Sequence, residues 1–161
     1  TEALGDVRGR IDHLVNNPGH TRPATFHRRL GEILYTGCGV SRSEAGLTRA
    51  LEQVQELREE FWRDVRVTGT DDRLNQELEK AGRVADFLEL AELMITDALD
   101  RQESCGAHFR EEYALPDGEA KRDDERWCNV SAWETNPAGQ HRRYQEPLRF
   151  ESVKLQVRNY R

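Results

Sequence analysis

Helical spacing of apolar residues is the feature that most constrains the fold of this chain. Charged residues make up 34% of the sequence and hydrophobic residues 36%, so a core can form only if the apolar residues recur on one face of each element. Four segments show this recurrence, with apolar residues three and four positions apart. Their stripes are Leu4, Val7, Ile11, Leu14; Phe26, Leu30, Ile33, Leu34; Leu47, Leu51, Val54, Leu57, Phe61, Val65; and Leu74, Leu78, Ala81, Ala85, Leu88, Ile95, Leu99.

Capping residues and helix breakers predict where these helices begin and end. Short loops between them favour antiparallel packing, so the sequence predicts a mainly α protein built on an antiparallel bundle of three to four helices. The predicted starts are Pro23, the capping-box pair Ser41 and Glu44, and Asp71 or Asp72. The predicted stops are 16–19, 37–39 and Gly69.

The character of the chain changes after Ser104. Residues 105–126 have no apolar period and hold Gly106, Pro116 and Gly118, which is typical of a loop. Alternation over 127–134, and again over Val153, Leu155 and Val157, predicts a few short β-strands. We therefore expect a helical bundle over 1–104 and a loop-rich tail with short strands over 105–161, packed on the bundle as one domain.

Several functional classes are disfavoured by composition. The net charge of -6 is mixed in sign and contains no long basic run, which argues against nucleic acid as a partner. No apolar stretch approaches the length of a membrane span, and no signal-peptide pattern opens the chain. The three cysteines Cys38, Cys105 and Cys128 are widely spaced, which suits free thiols in a reducing compartment and a cytoplasmic location.

Motifs for nucleotide binding and nucleophilic catalysis are absent from the sequence. There is no G-x-G-x-x-G after a strand, no phosphate-cradling loop and no G-x-S-x-G. We therefore expect no catalytic residue and no cofactor-binding residue in this chain. Cys105 and His108 have a ligand-like spacing, but no second pair follows, so we expect no metal site.

A dense polar cluster comes after the fourth predicted helix. It runs from Arg101 to Tyr113 and continues at 122–125. Two interpretations remain open, an acid–base site or a web of ion pairs. Because Arg and carboxylate side chains close in sequence usually form structural pairs, the ion-pair interpretation is favoured.

The string from Arg101 to Tyr113, RQESCGAHFREEY, resembles a signature of the succinate dehydrogenase and fumarate reductase flavoprotein subunits. The later RDDE at 122–125, Trp127, Tyr144 and the VRNY at 157–160 resemble the region downstream of that signature in the family. Cys105 departs from the Arg found there in many members. The resemblance implies the C-terminal helical domain of such a subunit, about its last quarter, following the FAD-binding and capping domains.

The resemblance also implies a function for the parent protein. Family members interconvert succinate and fumarate with FAD and pass electrons to an iron–sulfur subunit, a membrane anchor and quinone, at the inner face of the cell membrane. The FAD and substrate residues would lie upstream, in the flavin-binding domain that this chain would contact. Matching residues become candidates for interdomain docking: Glu103, Ser104, Gly106, His108, Arg110, Asp123 and Asp124.

Physical reasoning supports such a role for part of the set. Gly106 would let the backbone leave the helix closely beneath a neighbour, and His108 and Arg110 carry donors that we expect a facing domain to satisfy. Two alternatives remain. One is the C-terminal domain of L-aspartate oxidase, disfavoured by the long tail. The other is a free-standing helical-bundle interaction module, which the start at Thr1 without an initiator Met disfavours.

Overall fold

The structure is a computed structural model that describes residues 2–136 and 140–156. The predicted fold class is confirmed, with long helices first and short strands in the tail. The helices are α1 (Glu2–Asn16), α2 (Pro23–Gly37), α3 (Glu44–Asp64), α4 (Gln76–Asp100) and the short α5 (Asp124–Trp127), with a 3-10 turn at Glu111–Tyr113. The strands are β1 (Ser41–Arg42), β2 (Phe109–Arg110), β3 (Asn129–Thr135) and β4 (His141–Pro147).

Helix α3 packs against both α2 and α4 and forms the centre of the bundle. It is antiparallel to α2, because Arg29 in the middle of α2 pairs with Glu60 near the end of α3, while Gly37 at the end of α2 lies against Ala50 nearer the start of α3. Helices α2 and α4 run in the same direction, so α3 is antiparallel to both. The core follows the predicted stripes, with the rings of Phe26 and Phe61 edge to face at 5.2 Å.

Helix α1 buries only the C-terminal half of its predicted stripe. Leu14 belongs to the core, whereas Leu4 is 70% exposed and Val7 is 58% exposed. An exposed ion pair of Arg10 with Asp86 also links the helix to α4. The spacing of the stripe predicted the helix correctly but not how much of it is covered.

Two predicted caps are wrong by a few residues. Helix α3 is capped by Ser43, whose Oγ accepts from Gly46 N at 3.1 Å, and Ser41 instead lies in β1. Helix α4 is capped by Asn75, not by Asp71 or Asp72. An Asn side chain can both accept and donate, so Asn75 accepts from Glu77 N and Leu78 N while donating to carbonyls of the preceding loop.

The helix bounds leave Val65 and Leu74, two residues of the predicted stripes, outside the helices. Leu74 precedes the Asn75 cap and is 94% exposed. Helix α3 ends at Asp64 and not at Gly69, because the carbonyl of Asp64 accepts from the backbone N–H of both His20 and Thr21. A Cβ on Gly19 would come within 2.1 Å of that carbonyl oxygen, so this close approach requires glycine.

The tail folds as an antiparallel hairpin of β3 and β4, with Asn129 opposite Pro147 and Thr135 opposite His141. The first predicted strand is confirmed, but the second prediction, over Val153 to Val157, is wrong. Residues 151–156 form no strand, and Val157 lies outside the described residues. Strand β4 reads HRRYQEP and lacks apolar alternation, because most of its side chains face solvent.

The hairpin is fastened to the last turns of α4. Trp133 Nε1 donates to Asp97 Oδ1 at 3.1 Å, and Arg143 forms an ion pair with Asp100. The Arg143 guanidinium lies 5.8 Å from the ring centroids of both Trp127 and Trp133, which is a cation–π arrangement. These contacts join the tail to the bundle at the end of α4. The boundary at residue 104 between a bundle and a tail stays a prediction.

Candidate functional site

The candidate site is built on the C-terminal end of α4, which Arg110 closes. Arg110 is 1% exposed, and its Nη1 donates to Ala98 O at 2.9 Å and to Leu99 O at 3.1 Å. Carbonyls in the last turn of a helix lack helical partners and carry partial negative charge, so a guanidinium is well suited to them. The Nε of Arg110 donates to Glu112 Oε2 at 3.0 Å.

Ser104 fixes the backbone of Arg110 from the opposite side. Its Oγ accepts from Arg110 N at 2.9 Å and lies 3.1 Å from Arg110 O, to which it donates. The backbone N–H of Ser104 donates to Lys121 O at 2.9 Å. Ser104 is fully buried, so it joins the segment that leaves α4 to the segment that precedes α5.

Between Ser104 and Arg110 the chain makes a tight turn whose tip faces solvent. Cys105 and His108 exchange two backbone hydrogen bonds, of 2.8 and 3.1 Å. Gly106, at the first central position, has a φ of +60°, the conformation that a type II′ turn requires there and that favours glycine. Gly106 and Ala107 are exposed, and within 2–136 and 140–156 no atom beyond Gly106 and its two chain neighbours lies within 4 Å of a Cβ built on Gly106.

His108, at the base of the turn, is held in its neutral form. Arg42 Nη1 lies 2.8 Å from its Nδ1, which must accept, and Nε2 lies 3.0 Å from Arg101 O, to which it donates. Burial lowers the pKa of His108, and the positive charges of Arg42, Arg101 and Arg110 lower it further. Both ring nitrogens are therefore engaged within the chain.

The acidic candidates join the signature to α5. Glu103 is buried; its Oε1 accepts from Arg101 at 2.6 and 2.9 Å, and its Oε2 accepts from Asp123 N at 2.8 Å. Asp123 caps α5 by accepting from Arg126 N at 3.2 Å. Asp124 pairs with Arg122 at 2.5 Å. The ion-pair interpretation of the cluster therefore accounts for Glu103 and Asp124, while Asp123 acts as a helix cap.

A second loop of the bundle meets the signature through a two-residue parallel ladder, in which β1 pairs with β2. Phe109 N donates to Val40 O at 3.1 Å, and Ser41 Oγ donates to Glu111 Oε1 at 2.8 Å. We call this ladder and its side-chain bonds the clasp. It joins the start of α3 to the end of α4.

Glu112 reinforces the clasp at the N-terminus of α3. Its Oε1 accepts from Glu44 N at 2.6 Å, which is the favourable position for a carboxylate at a helix N-terminus. Partial burial acts to raise the pKa of Glu112, but hydrogen bonds from the backbone N–H of Glu44 and from Arg110 outweigh it, so the pKa lies below its usual range. Glu112 therefore bridges the start of α3 and the Arg110 guanidinium.

The structure brings the candidate residues together, but the hydrogen-bond partners of Arg110 and His108 are not where they were expected. The donors of Arg110 and His108 were expected to need partners from another domain, and this expectation is wrong, because their acceptors lie in the same chain. The segment from Arg101 to Tyr113 carries many charges, and such a segment is expected to stay outside a core. Arg110 is buried nevertheless, because its guanidinium donates to the carbonyls at the end of α4. Among the candidates, Gly106 alone is fully exposed, and the docking role of the set stays a prediction.

Sequence reasoning missed Arg42, which supports His108 from the α2–α3 loop. The two residues are 66 positions apart, and no local spacing relates them. Glu112 was recognised as part of the polar cluster but not as a helix-capping group. A parallel pairing of two residues leaves no hydrophobic pattern in the sequence, so the clasp could not be found from periodicity.

Metal-binding clusters and membrane-spanning helices are both absent from the part of the chain that the structure describes. Within 2–136 and 140–156, no group of three or more His, Cys, Asp or Glu side chains could hold a metal ion. Cys38, Cys105 and Cys128 are free thiols, and burial raises the pKa of Cys38. None of the helices over these residues combines the length and apolar character needed to cross a membrane.

Comparison with known proteins identifies relatives over most of the chain. A family described as the fumarate reductase flavoprotein C-term matches residues 27–160. The fumarate reductase flavoprotein subunit of Escherichia coli K12 is 34% identical over 118 residues, which is 73% of this chain and 19% of the relative. That of Proteus vulgaris is 29% identical over 150 residues, 93% of this chain and 23% of the relative.

Solved structures agree with the sequence relatives. A mutant of the E. coli quinol fumarate reductase superposes with a TM-score of 0.79 at 27% identity, covering 95% of this chain and 25% of the solved chain. Adenylylsulfate reductase from Archaeoglobus fulgidus has a TM-score of 0.64 at 20% identity, which shows a shared fold alone. The chain thus spans a quarter or less of the length of these proteins.

Proposed function

The chain belongs to the family of fumarate reductase flavoprotein C-terminal domains, and from this membership we propose that it docks onto the flavin-binding part of a larger polypeptide. The parent interconverts succinate and fumarate with FAD. The FAD and the substrate are bound by residues outside this chain. L-Aspartate oxidase and the free-standing module remain the alternatives that an experiment on the parent must exclude.

The way the signature presents its turn carries this proposal. Arg110, Ser104 and Glu103 direct their polar atoms inward to partners in the chain, while the small residues Gly106 and Ala107 project from the surface. These inward hydrogen bonds fix the geometry of the turn from Cys105 to His108, so its exposed backbone is presented in one conformation. The small side chains at its tip permit close approach of a neighbour. The turn is therefore the contact point, and the buried residues act by holding it.

Further partners are expected from the same family membership. We propose that the parent passes electrons to an iron–sulfur subunit and, through a membrane anchor, exchanges them with quinone at the inner face of the cell membrane. Half-exposed apolar side chains on the tail, including Leu148, Phe150 and Leu155, supply a surface for a protein partner. The tail is thus the region that we assign to the iron–sulfur subunit.

The proposal is tested in the intact flavoprotein with a charge placed at the tip of the turn. Ala107→Glu should lower the FAD content per polypeptide by about tenfold, because a buried interfacial charge without a partner commonly costs more than 1.4 kcal/mol. Ala3→Glu, on the exposed start of α1, is the matched control and should retain FAD. Equal FAD content in both variants would show that the turn does not dock. A parent that contains no flavin would support the free-standing module.

A further inference from the structure

A groove between α2 and α4 leaves apolar side chains uncovered. Phe87, Leu90 and Met94 lie along one side of α4 and are between 40% and 53% exposed. His27 and Leu34 of α2 form the opposite wall. Three open depressions of about 200, 190 and 420 Å³ follow one another here, and each shares wall residues with the next. We call this surface the α2–α4 groove.

The groove ends beside the signature. Its last cavity is lined by Trp133 of β3, by Leu90 and Met94 of α4, and by Arg42, the residue that supports His108 in the turn. The groove and the exposed turn are therefore neighbouring parts of one face, joined through Arg42.

Arg42 brings an unneutralised positive charge to this end of the groove. Its Nε donates to Gly39 O at 2.6 Å and its Nη1 donates to His108. Among residues 2–136 and 140–156, no carboxylate oxygen lies within 4.0 Å of its side-chain nitrogens. Asp97 lines the same cavity and keeps its negative charge, but its Oδ1 accepts from Trp133 and its carboxylate makes no ion pair with Arg42 within 4.0 Å. A half-buried guanidinium in this setting is complementary to a carboxylate on an incoming segment.

We propose that the α2–α4 groove receives an amphipathic helical segment from the flavin-binding part of the same polypeptide. Its apolar side chains cover Leu90 and Met94, and a carboxylate pairs with Arg42. This inference rests on the proposed function and names the second half of the docking face. The occupant is assigned to the same polypeptide because the chain spans a quarter or less of its relatives and because the groove continues the docking turn.

Met94 provides a direct measurement, since it is the only methionine of the sequence. Its thioether is oxidised by hydrogen peroxide at a rate that follows its exposure. We expect rapid oxidation in the 161-residue chain and oxidation slower by about tenfold or more in the intact flavoprotein. The sulfoxide is quantified by mass spectrometry of the peptide that contains residue 94.

Two variants of the intact flavoprotein locate the contact. Leu90→Glu should restore rapid oxidation of Met94, while Val7→Glu, at a similarly exposed apolar residue of α1, should leave Met94 protected. Equal oxidation of Met94 in the wild-type chain and the intact flavoprotein would overturn the inference. So would slow oxidation in the isolated chain together with a dimeric mass, because a second copy would then fill the groove.

The same samples separate this inference from the proposed function. If Ala107→Glu lowers the FAD content while Met94 is equally reactive in both proteins, the turn docks and the groove is not part of the interface. If FAD content is unaffected and Met94 is equally reactive, both the docking function and the groove inference are wrong. If Met94 is protected in the intact flavoprotein and Leu90→Glu abolishes that protection, the inference about the groove is supported, whatever the FAD content of Ala107→Glu.

Discussion

Arg110 Nη1 donates to Ala98 O at 2.9 Å, so a side chain from the signature completes the last turn of α4. The contact makes the signature part of the fold of this chain. We expect substitutions there to lower the stability of the chain, and their effect on the proposed docking is measured separately.

The substitution Arg110→Ala should destabilise the isolated chain by about 2–4 kcal/mol, because it leaves buried helix-end carbonyls without a donor. The measurement is urea unfolding at neutral pH. Arg83→Ala is the control, since Arg83 forms an exposed ion pair with Glu79. This substitution should lower the free energy of unfolding by less than about 0.5 kcal/mol. Equal losses in the two variants would contradict the role of Arg110 at the helix end.

In the intact flavoprotein, Arg110→Ala should lower the FAD content and the yield of assembled complex while leaving turnover per bound flavin within a few-fold of wild type. The physical reason is that Arg110 supports the turn from inside the domain and has no exposed donor to offer a substrate. Normal FAD content with turnover per flavin reduced by about a thousandfold, the loss expected for a transition-state contact, would place Arg110 in the active site.

The packing of α3 against α4 should be the main source of stability. Leu57 of α3 and Leu88 of α4 are buried in the core, so Leu57→Ala and Leu88→Ala should each cost about 2–5 kcal/mol in the free energy of unfolding. Leu4→Ala on the exposed side of α1 should cost less than about 0.5 kcal/mol. Losses below that level at both core positions would mean that the helices pack in another register.

The cap of α4 can be tested by comparing two neighbouring residues. Asn75→Ala should destabilise the chain by about 0.5–2 kcal/mol, because the Asn75 side chain accepts from the first backbone N–H groups of the helix. Asp72→Ala should cost less, since Asp72 lies before the cap and is exposed. Circular dichroism during thermal unfolding gives both values, and a larger effect at Asp72 would restore the cap expected from the sequence.

His108 should make stability depend on pH in the mildly acidic range. Its pKa is lower in the folded chain than in the unfolded chain, so the unfolded state binds more protons when the pH falls through the usual value of about 6.5. The contribution is therefore complete above that pH and is lost as the pH falls through the folded pKa. The midpoint of thermal unfolding should fall less between about pH 7.5 and pH 5.5 in His108→Gln than in the wild type. An equal fall in both proteins would mean that His108 is not the titrating group.

The long helices could be predicted from the sequence because each buries a stripe with a period near 3.6 residues, and that signal covers many residues. Their ends depend on a few hydrogen bonds. Asp71, Asp72 and Asn75 all suit a cap, and the choice of Asn75 is made by the loop carbonyls that its amide also reaches. Such a choice depends on tertiary geometry that local residue types do not encode.

The site was harder to predict than the bundle for a related reason. The resemblance identified the segment from Arg101 to Tyr113, but it gave no indication that Arg110 lies inside the protein. Its partners are backbone carbonyls, which every residue carries and no pattern marks. Strand β4 was missed because its side chains remain mostly in solvent, so the alternation that marks a half-buried strand is absent.

The clasp has a consequence for the order in which this chain folds. Ser41 and Glu111, which it joins, are 70 positions apart in sequence, and closing so long a loop directly from the unfolded chain has a large entropic cost. Antiparallel packing of α3 on α4 brings the start of one helix close to the end of the other and removes most of that cost. The clasp therefore forms after the helices have paired. During synthesis, we expect water to bond the last carbonyls of α4 until Arg110 has left the ribosome and replaces it.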